Sequence, residues 1–477
     1  MLNLNFIKKR NFYIILIILI GILFRYFYFL NVDGWFDEWN MLYTIDPSVS
    51  NEDTWKRYYG DRGDHNLPEY YPPLNAFFLK YIFTFFEYNI ENTRLISLLF
   101  GCSSIVLVFY LSRIFSNFNY SLISTTLVAF NLFLIWQSSE IRPHSFVVFF
   151  SLLSIILFIK IQNQSFNECK ATYFIYLLSS LILLSSWPFT LIIFFAKFIF
   201  LAQDFFDKKK INKSILLVIF LSLLLYVILN LDYLLYHLSR DEHYTKLYLA
   251  FFYSFHFRSF FGSIYLGAIF LILFSLLLIF NYKNIFFKSQ KDNILIFIIL
   301  SSYFLTISYS IIGASVISPK YIIFILPLII IWSVFKIEVS KFKFKDHLLI
   351  SILFLTILNF FINFKNNPID RPPTKEMLEV IASSNIKAIY TPETIVFNHF
   401  VSTHKIFKKN NLRIDKAENI DSYKGPFWFL CVNNARFALG DNNLPEQDKC
   451  KYFEKGDIYS LKREIKVTDY ILRKYEN

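Results

Sequence analysis

The sequence is poor in charged residues and in glycine. Asp, Glu, Lys and Arg make up only 18% of its 477 residues, whereas 55% are hydrophobic and 20% are aromatic. Water-soluble domains carry about 25% charged residues, so this composition indicates a chain that folds in a lipid bilayer. Glycine occurs 11 times. Its scarcity disfavours a glycine-rich phosphate loop, and hence a nucleotide-sugar or ATP site.

Cysteine is scarce as well. The four cysteines lack a CxxC spacing and a neighbouring histidine pattern, which disfavours a zinc site. The formal net charge is +12, but the lysines and arginines gather between apolar segments. This distribution is typical of the cytoplasmic connections of a membrane protein and not of a nucleic-acid-binding surface. We therefore expect no nucleic-acid partner.

Apolar runs long enough to cross roughly 30 Å of hydrocarbon as helices recur as far as residue 364. They predict an all-α polytopic membrane protein with about eleven transmembrane helices. The runs lie near residues 12–30, 95–112, 120–137, 144–159, 172–186, 189–203, 214–231, 261–280, 293–312, 321–335 and 347–364.

The charges that flank these runs predict an orientation. Lys8, Lys9 and Arg10 precede the first run, which lacks a small-residue cleavage site, so we expect an uncleaved signal anchor with a cytoplasmic N-terminus. Alternation then places the lysine-rich connections, such as residues 208–213 and 336–345, in the cytoplasm. The connections on the other side carry few cations. We expect a multi-pass protein of the bacterial inner membrane.

A large first outer loop, residues 31–94, follows from this topology. Residues 73–90 within it are apolar enough to be one more span, which would reverse every later orientation. Pro72 and Pro73 lead this segment and Lys80 interrupts it. We therefore favour a helix that lies at the membrane interface.

The chain becomes polar after residue 364. We predict a transmembrane domain over residues 1–364 and a small mixed α/β domain over residues 365–477, outside the cytoplasm. Cys431 and Cys450 of this domain could form a disulfide there. Two free structural cysteines are the equally weighted alternative.

Two adjacent carboxylates, Asp37 and Glu38 in WFDEWN, directly follow the first span. Carboxylates at a membrane boundary are costly unless they are hydrated or paired. Neighbouring residues project about 100° apart on a helix, so one carboxylate would act and the other would support it. A solvated loop start is the simpler alternative.

Cations and further polar residues occur at other predicted outer ends of spans. Arg142 lies in QSSEIRPHSF with Glu140 and His144, and a guanidinium suits phosphate, although a surface ion pair with Glu140 is an alternative. Lys320 in ISPKYIIFILP could meet phosphate or snorkel to the headgroups. The remaining candidates are Arg258 beside SFFG, and His65 and Tyr71 in DHNLPEYYPP.

These motifs, in this order, resemble the C-type glycosyltransferases of the dolichyl-phosphate-mannose protein mannosyltransferase and aminoarabinose transferase kind. In that family an acidic DE follows the first span, a PPL helix ends the first loop and an Arg opens the next span. Their counterparts here are Asp37 and Glu38, PPLNAFFLKYIF, and Arg94. The segments EIRPHSF and SPKYIIFILP match the family's E-x-R-x-Y-S and P-R-Y elements. The resemblance covers roughly residues 1–335.

Three departures from the family pattern leave the sugar and the acceptor open. His144 stands where Tyr is usual, Lys320 stands where Arg is usual, and SSWPFT replaces a His-containing THYF. Lys320 keeps the charge but loses the guanidinium fork, so it can offer phosphate only a point contact.

The resemblance implies transfer of a sugar, with inversion, from a polyprenyl-phosphate donor to a lipid, glycan or protein acceptor at the outer face of the membrane. Asp37 would be the general base, supported by Glu38. A divalent cation at these two carboxylates is optional, and no other cofactor is expected. The implied donor-phosphate ligands are Arg142, Lys320, Arg258 and Arg94, and the implied acceptor or sugar ligands are Tyr71, His65, Glu140 and His144.

A transporter, flippase or O-antigen polymerase is the main alternative. Such proteins carry ionisable residues in the middle of the membrane, whereas the charges in this sequence gather at the ends of the apolar runs. A noncatalytic membrane scaffold would leave the shared predicted side of Asp37, Glu38 and Arg142 unexplained.

Overall fold

The computed structural model describes most of the helical part and much of the C-terminal part of the chain. The described residues are 4–32, 34, 36–60, 72–162, 164, 166–208, 212–238, 256–288, 290–312, 316, 318–364, 374–392, 394–403, 407, 411–422, 425–432, 459–467 and 470–476. The helices are α1 (Leu4–Asn31), α2 (Phe36–Ile45), α3 (Asn51–Tyr58), α4 (Leu74–Ile82), α5 (Ile90–Phe115), α6 (Phe118–Ala129), α7 (Leu132–Gln137), α8 (His144–Ile161), α9 (Lys170–Leu184), α10 (Leu191–Lys208), α11 (Lys213–Leu229), α12 (Leu231–Leu238), α13 (Phe257–Phe261), α14 (Ile264–Phe287), α15 (Asn293–Ile312), α16 (Ile325–Val339), α17 (Lys345–Asn363), α18 (Thr374–Ser383) and α19 (Thr394–Thr403).

The protein is a multi-pass membrane protein. Within the described residues, seven helices are long and apolar enough to cross a membrane, and α9 and α11 are shorter apolar helices. Large apolar side chains remain exposed on their outward faces, for example Phe280 on α14 and Phe361 on α17, as expected where lipid is the solvent. The seven are Phe12–Leu30, Ile90–Phe115, His144–Ile161, Pro188–Asp207, Ile264–Phe286, Asn293–Ile311 and Lys345–Asn363.

Four of the predicted spans are not long continuous helices: the runs near 172–186 and 214–231 form the shorter helices α9 and α11, and two others differ further. The run near 120–137 forms α6 and α7, because the Asn131 side chain accepts a hydrogen bond from Leu134 N and caps α7. Arg25 of α1 donates to the carbonyl oxygens of Val128 and Ala129 at the end of α6. The run near 321–335 forms α16, which has 15 residues. The total of eleven spans therefore stays a prediction.

Buried cations inside candidate spans correct the expectation that charges gather only at span ends. Arg25 and Lys197 are both almost fully buried. Arg25 is satisfied by main-chain carbonyl oxygens of α6, and Lys197 Nζ lies 2.7 Å from Ser154 Oγ and 3.1 Å from the Tyr176 hydroxyl. Each of the two is a single charge within a long apolar run, so the average hydropathy of the run stays high and the sequence pattern gives no sign that the charge is buried.

The predicted first outer loop contains the short helices α2, α3 and α4. Helix α4 has nine residues, which is about 14 Å of helix and too short to cross the bilayer. The segment is therefore not one of the helices long enough to span, and its place at the membrane interface stays a prediction. Lys80 of α4 is buried and donates to Val49 O, Ser50 O and Thr54 Oγ1, so it attaches α4 to the start of α3.

The C-terminal part contains a mixed five-stranded sheet, as predicted for a small α/β unit. The strands are β1 (Ala388–Thr391), β2 (Arg413–Lys416), β3 (Phe427–Val432), β4 (Ser460–Val467) and β5 (Tyr470–Glu476). Their order is β2-β1-β3-β5-β4; β1 is parallel to β2 and β3, whereas β5 is antiparallel to β3 and β4. The domain boundary at residues 364 and 365 stays a prediction.

Alternate residues of β3 point to opposite faces of this sheet. Trp428 and Leu430 belong to the core that is continuous with the membrane helices, and Phe427 and Phe429 belong to a separate small core. Cys431 is disulfide-bonded, while its expected partner Cys450 lies outside the described residues. The sheet therefore packs one face toward the rest of the protein.

Candidate active site

The two adjacent carboxylates lie in the first turn of α2, and their environments differ sharply. Asp37 Oδ2 forms an ion pair of 2.8 Å with Arg142 Nη2, and its side chain is 42% exposed. The Arg142 side chain is 14% exposed. Asp37 is thus a carboxylate held by Arg142 but still partly open to solvent, so a second molecule can reach it.

Glu38 is fully buried beside it. Its two oxygens accept hydrogen bonds from Arg94, at 2.8 Å from Nε and 2.6 Å from Nη2, and Oε1 also accepts from Ile141 N at 3.0 Å. Arg94 Nη1 donates to Val32 O at 2.7 Å. Such bidentate pairing is a strong, directional contact. Glu38 therefore joins α2 to α5 and to the connection between α7 and α8.

A close helix contact sets the position of that connection. Gly101 of α5 packs directly against Ser138, and a Cβ at Gly101 would overlap the Ser138 side chain. The connection that begins at Ser138 carries Glu140 and Arg142. The small residue in α5 thus allows both to approach the start of α2.

Glu140, His144 and Lys320 form a second polar group next to the first. Glu140 Oε2 lies 3.7 Å from His144 Nδ1 and 3.8 Å from Lys320 Nζ, and Oε1 accepts from Gln137 Nε2 at 3.3 Å. The Glu140 side chain is buried, whereas that of Lys320 is 21% exposed. Arg142 contacts Asp37, and Glu140, two residues earlier, contacts Lys320. The structure thus brings together predicted site residues from three separate segments of the chain.

Aromatic side chains adjoin this polar group, and sequence reasoning had not assigned them to the site. The rings of His144 and Trp187 are 5.4 Å apart, and Phe189 stacks on Tyr321 at 5.1 Å. Trp187 Nε1 donates to Tyr321 O at 2.8 Å. Tyr321 lies near enough to Asp37 and Arg142 for their charges to act on the pKa of its hydroxyl. The available signal was SSWPFT, which the sequence marked only as a departure from the family pattern.

Other predicted site residues stand apart or cannot be placed. Arg258 is exposed on the five-residue helix α13, and no contact between described residues joins it to Asp37 or Glu140. The neighbouring His256 is buried, with Nε2 at 2.9 Å from the Tyr303 hydroxyl. His65 and Tyr71 lie outside the described residues. Among the residues that the structure does describe, no group of three or more His, Cys, Asp or Glu could hold a metal ion.

Comparison with solved structures finds the same overall architecture. The structure of ArnT from Cupriavidus metallidurans in the apo state is 8% identical, with a TM-score of 0.54, over 97% of this chain and 98% of that chain. The same protein bound to undecaprenyl phosphate gives 8% identity and a TM-score of 0.51, over 96% and 97% of the two chains.

A third solved structure is archaeal. The oligosaccharyltransferase AglB from Archaeoglobus fulgidus, in complex with an inhibitory peptide and a dolichol-phosphate, is 11% identical with a TM-score of 0.50, over 90% of this chain and 70% of that chain. No family model and no curated protein sequence matches the chain. The fold is therefore that of the polytopic C-type glycosyltransferases, as the sequence resemblance predicted.

Proposed function

We propose that this protein is a membrane glycosyltransferase that takes a sugar from a polyprenyl-phosphate donor at the outer face of the membrane. The observation that carries the proposal is the ion pair between Asp37 and Arg142, which places a reachable carboxylate beside a guanidinium within a C-type glycosyltransferase fold. Two of the similar proteins were solved with lipid phosphates, undecaprenyl phosphate for ArnT and dolichol-phosphate for AglB.

Asp37 is the general base of the proposed reaction. An acceptor hydroxyl attacks the anomeric carbon while Asp37 accepts the hydroxyl proton, and the bond from that carbon to the phosphate oxygen breaks. One displacement yields an inverted glycoside and a polyprenyl phosphate. The exposure of Asp37, compared with the complete burial of Glu38, selects Asp37 for this role, because a base must reach the proton that it removes.

Arg142 and Lys320 stabilise the charge that develops on the departing phosphate. Each now contacts a carboxylate, Arg142 that of Asp37 and Lys320 that of Glu140. A donor phosphate competes with these carboxylates for the two cations. Donor binding would thereby loosen the hold of Arg142 on Asp37 and leave the base able to accept a proton, which couples the two substrates.

Arg94 and Glu38 have a positioning role in this proposal. All three guanidinium nitrogens of Arg94 donate to protein oxygens, so Arg94 is poorly suited to the phosphate-binding role that the sequence suggested. Glu38, with both oxygens engaged, orients the helix that begins with Asp37. Phe189 and Tyr321, which are partly exposed, offer aromatic surface on which a sugar or the first isoprene unit can pack, and the buried Trp187 supports them from behind.

The transporter alternative depends on ionisable groups inside the membrane. Two cations are buried within candidate spans: Arg25, which donates to main-chain carbonyl oxygens of α6, and Lys197. In the described part of the chain its Nζ contacts Ser154, Tyr176 and the rings of Phe158 and Phe194, and no carboxylate pairs with it. An isolated cation of this kind does not make a polar path across a bilayer.

The proposal is tested by sugar transfer in membranes that contain the full chain and radiolabelled polyprenyl-phosphate-linked hexoses or pentoses. Asp37→Asn should lower the rate by about 10² to 10⁴, the usual contribution of a general base. Glu52→Gln is the matched control, because Glu52 is a 78% exposed carboxylate of the same outer loop. It should retain full activity. Undiminished transfer by Asp37→Asn would remove Asp37 from the role of base.

A further inference from the structure

A cavity of about 860 Å³ opens at the end of the helix bundle opposite to Asp37. It lies between the C-terminal parts of α14 and α16, the end of α5 and the connection that leads to α17. Helix α5 begins at Ile90, near Glu38 and Arg94, and α16 begins shortly after Lys320. The cavity is lined by the opposite ends of both helices. The cavity is therefore distinct from the candidate active site.

The walls of this cavity change from apolar to polar along α14. Leu273, Leu277 and Phe280 line it earlier on the helix, and Asn281 and Asn284 line it nearer the end of the helix. Residues 273–284 span about 16 Å of helix, so an apolar chain and a polar head could occupy the two parts at once. This arrangement matches an amphiphile, whereas a pocket for a wholly polar solute would not have the apolar half.

The segments around the polar end of the cavity are strongly basic. The two segments that surround it, residues 281–292 and 335–348, contain seven lysines and only three carboxylates. Lys336 and Asp292 form a buried ion pair of 2.6 Å at the cavity wall, and Lys291 lines the mouth on an exposed position. The excess positive charge complements a negatively charged headgroup.

We propose that this cavity binds an anionic glycerophospholipid of the adjacent membrane leaflet. The phosphate and glycerol oxygens lie between Lys291, Asn284 and Asn281, and the upper parts of the acyl chains lie along Leu277 and Phe280. The volume lies within the range of about 300 to 1,000 Å³ that holds small-molecule ligands. It accommodates a headgroup and the first part of the chains, with the rest of the lipid in the bilayer.

The experiment is native mass spectrometry of the full-length protein released from nanodiscs that contain equal amounts of phosphatidylglycerol and phosphatidylcholine. We expect retained phosphatidylglycerol in clear excess. Lys291→Gln should reduce its retention about five-fold, the typical contribution of one cation near an anionic membrane surface. Lys283→Gln is the matched control, since Lys283 is an exposed lysine of the same segment that does not line the cavity.

Asn284→Trp, which fills the polar half of the cavity, should abolish retention while the thermal unfolding midpoint stays near that of the wild type. Equal retention of the two lipids would overturn the proposal, as would undiminished phosphatidylglycerol in Asn284→Trp. Displacement of phosphatidylglycerol by equimolar undecaprenyl phosphate would overturn it too, because the cavity would then be a polyprenyl-phosphate site. None of these outcomes depends on Asp37.

Discussion

The ring of Phe400 packs against the indole of Trp39, with ring centroids 3.6 Å apart. Trp39 follows Asp37 by two residues on α2, and Phe400 belongs to α19 of the C-terminal part. Next to this contact, His399 Nε2 lies 3.1 Å from the Tyr88 hydroxyl. The C-terminal part thus contacts the helix that carries the proposed base, on a side different from the one that Arg94 holds.

Phe400→Ala should lower kcat about 10- to 100-fold, because a small displacement of a catalytic group is costly. The KM for the donor should change little, since Arg142 and Lys320 lie on other segments. Steady-state transfer rates over a range of donor concentrations give both parameters. Phe400→Leu keeps most of the side-chain volume, so its kcat should fall between those of Phe400→Ala and the wild type.

Val401→Ala, on the same helix, is the matched control and should retain full kcat. If Phe400→Ala is folded, as judged from its unfolding midpoint, and keeps the wild-type kcat, the C-terminal part has no positioning role for Asp37.

Acidification should weaken the contact between the C-terminal part and the outer loop. Burial lowers the pKa of His399 to about 4 from 6.5, with Asp46 opposing and Arg57 adding to this effect. Because the folded-state pKa is depressed, the contribution of neutral His399 to stability is complete above pH 6.5 and is lost as pH falls toward 4. Hydrogen exchange of α19, measured from about pH 7.5 to about pH 4.5, should therefore rise beyond its intrinsic pH dependence.

His399→Asn cannot titrate and should flatten this dependence. His347→Asn, a substitution of an exposed histidine of α17, should leave it as in the wild type. Identical profiles for the His399→Asn variant and the wild type would show that another group controls the contact.

Removing one partner of the buried ion pair between Glu38 and Arg94 should lower the free energy of unfolding more than removing both partners. Glu38→Met leaves the Arg94 guanidinium buried beside an apolar group and should lower the free energy of unfolding by about 3 to 5 kcal/mol. The double variant with Arg94→Met should recover part of that loss, although Val32 O then loses its donor, as Ile141 N had already lost its acceptor in Glu38→Met. Chemical denaturation in detergent measures both. Additive losses would indicate that the two residues are not coupled in the folded protein.

Lys320→Gln should lower kcat/KM for the lipid-phosphate donor about 100-fold, comparable to the loss of one fixed donor that stabilises a developing charge. Lys320→Arg should retain most of the activity, because it keeps the charge and resembles the family pattern. Transfer assays at subsaturating donor concentration compare the two variants. Equal activity of Lys320→Gln and the wild type would mean that Lys320 only snorkels to the headgroups.

The length of the apolar runs and the bias of the charges between them were sufficient to predict a multi-pass membrane protein. They also predicted that the segments DE, EIRPHSF and SPKYIIFILP lie at the same side of the membrane. They could not separate the roles of Asp37 and Glu38, because neighbouring residues with the same side-chain chemistry differ here only in burial and partners. They also missed the division between α6 and α7, since the apolar run is unbroken in hydropathy there and the cap that Asn131 provides is a matter of local geometry. The packing of Phe400 on Trp39 joins residues that are distant in sequence, and no local pattern encodes it.

Glu38 has a consequence for biogenesis. Its charge becomes favourable inside the protein only after Arg94 and the main chain at Ile141 have arrived, and an ionised carboxylate without such partners stays in water. The hairpins that carry these partners are synthesised later than α2. We therefore expect the start of α2 to stay in the aqueous phase until they are inserted, and a chain truncated before residue 141 would lack the main-chain donor to Glu38.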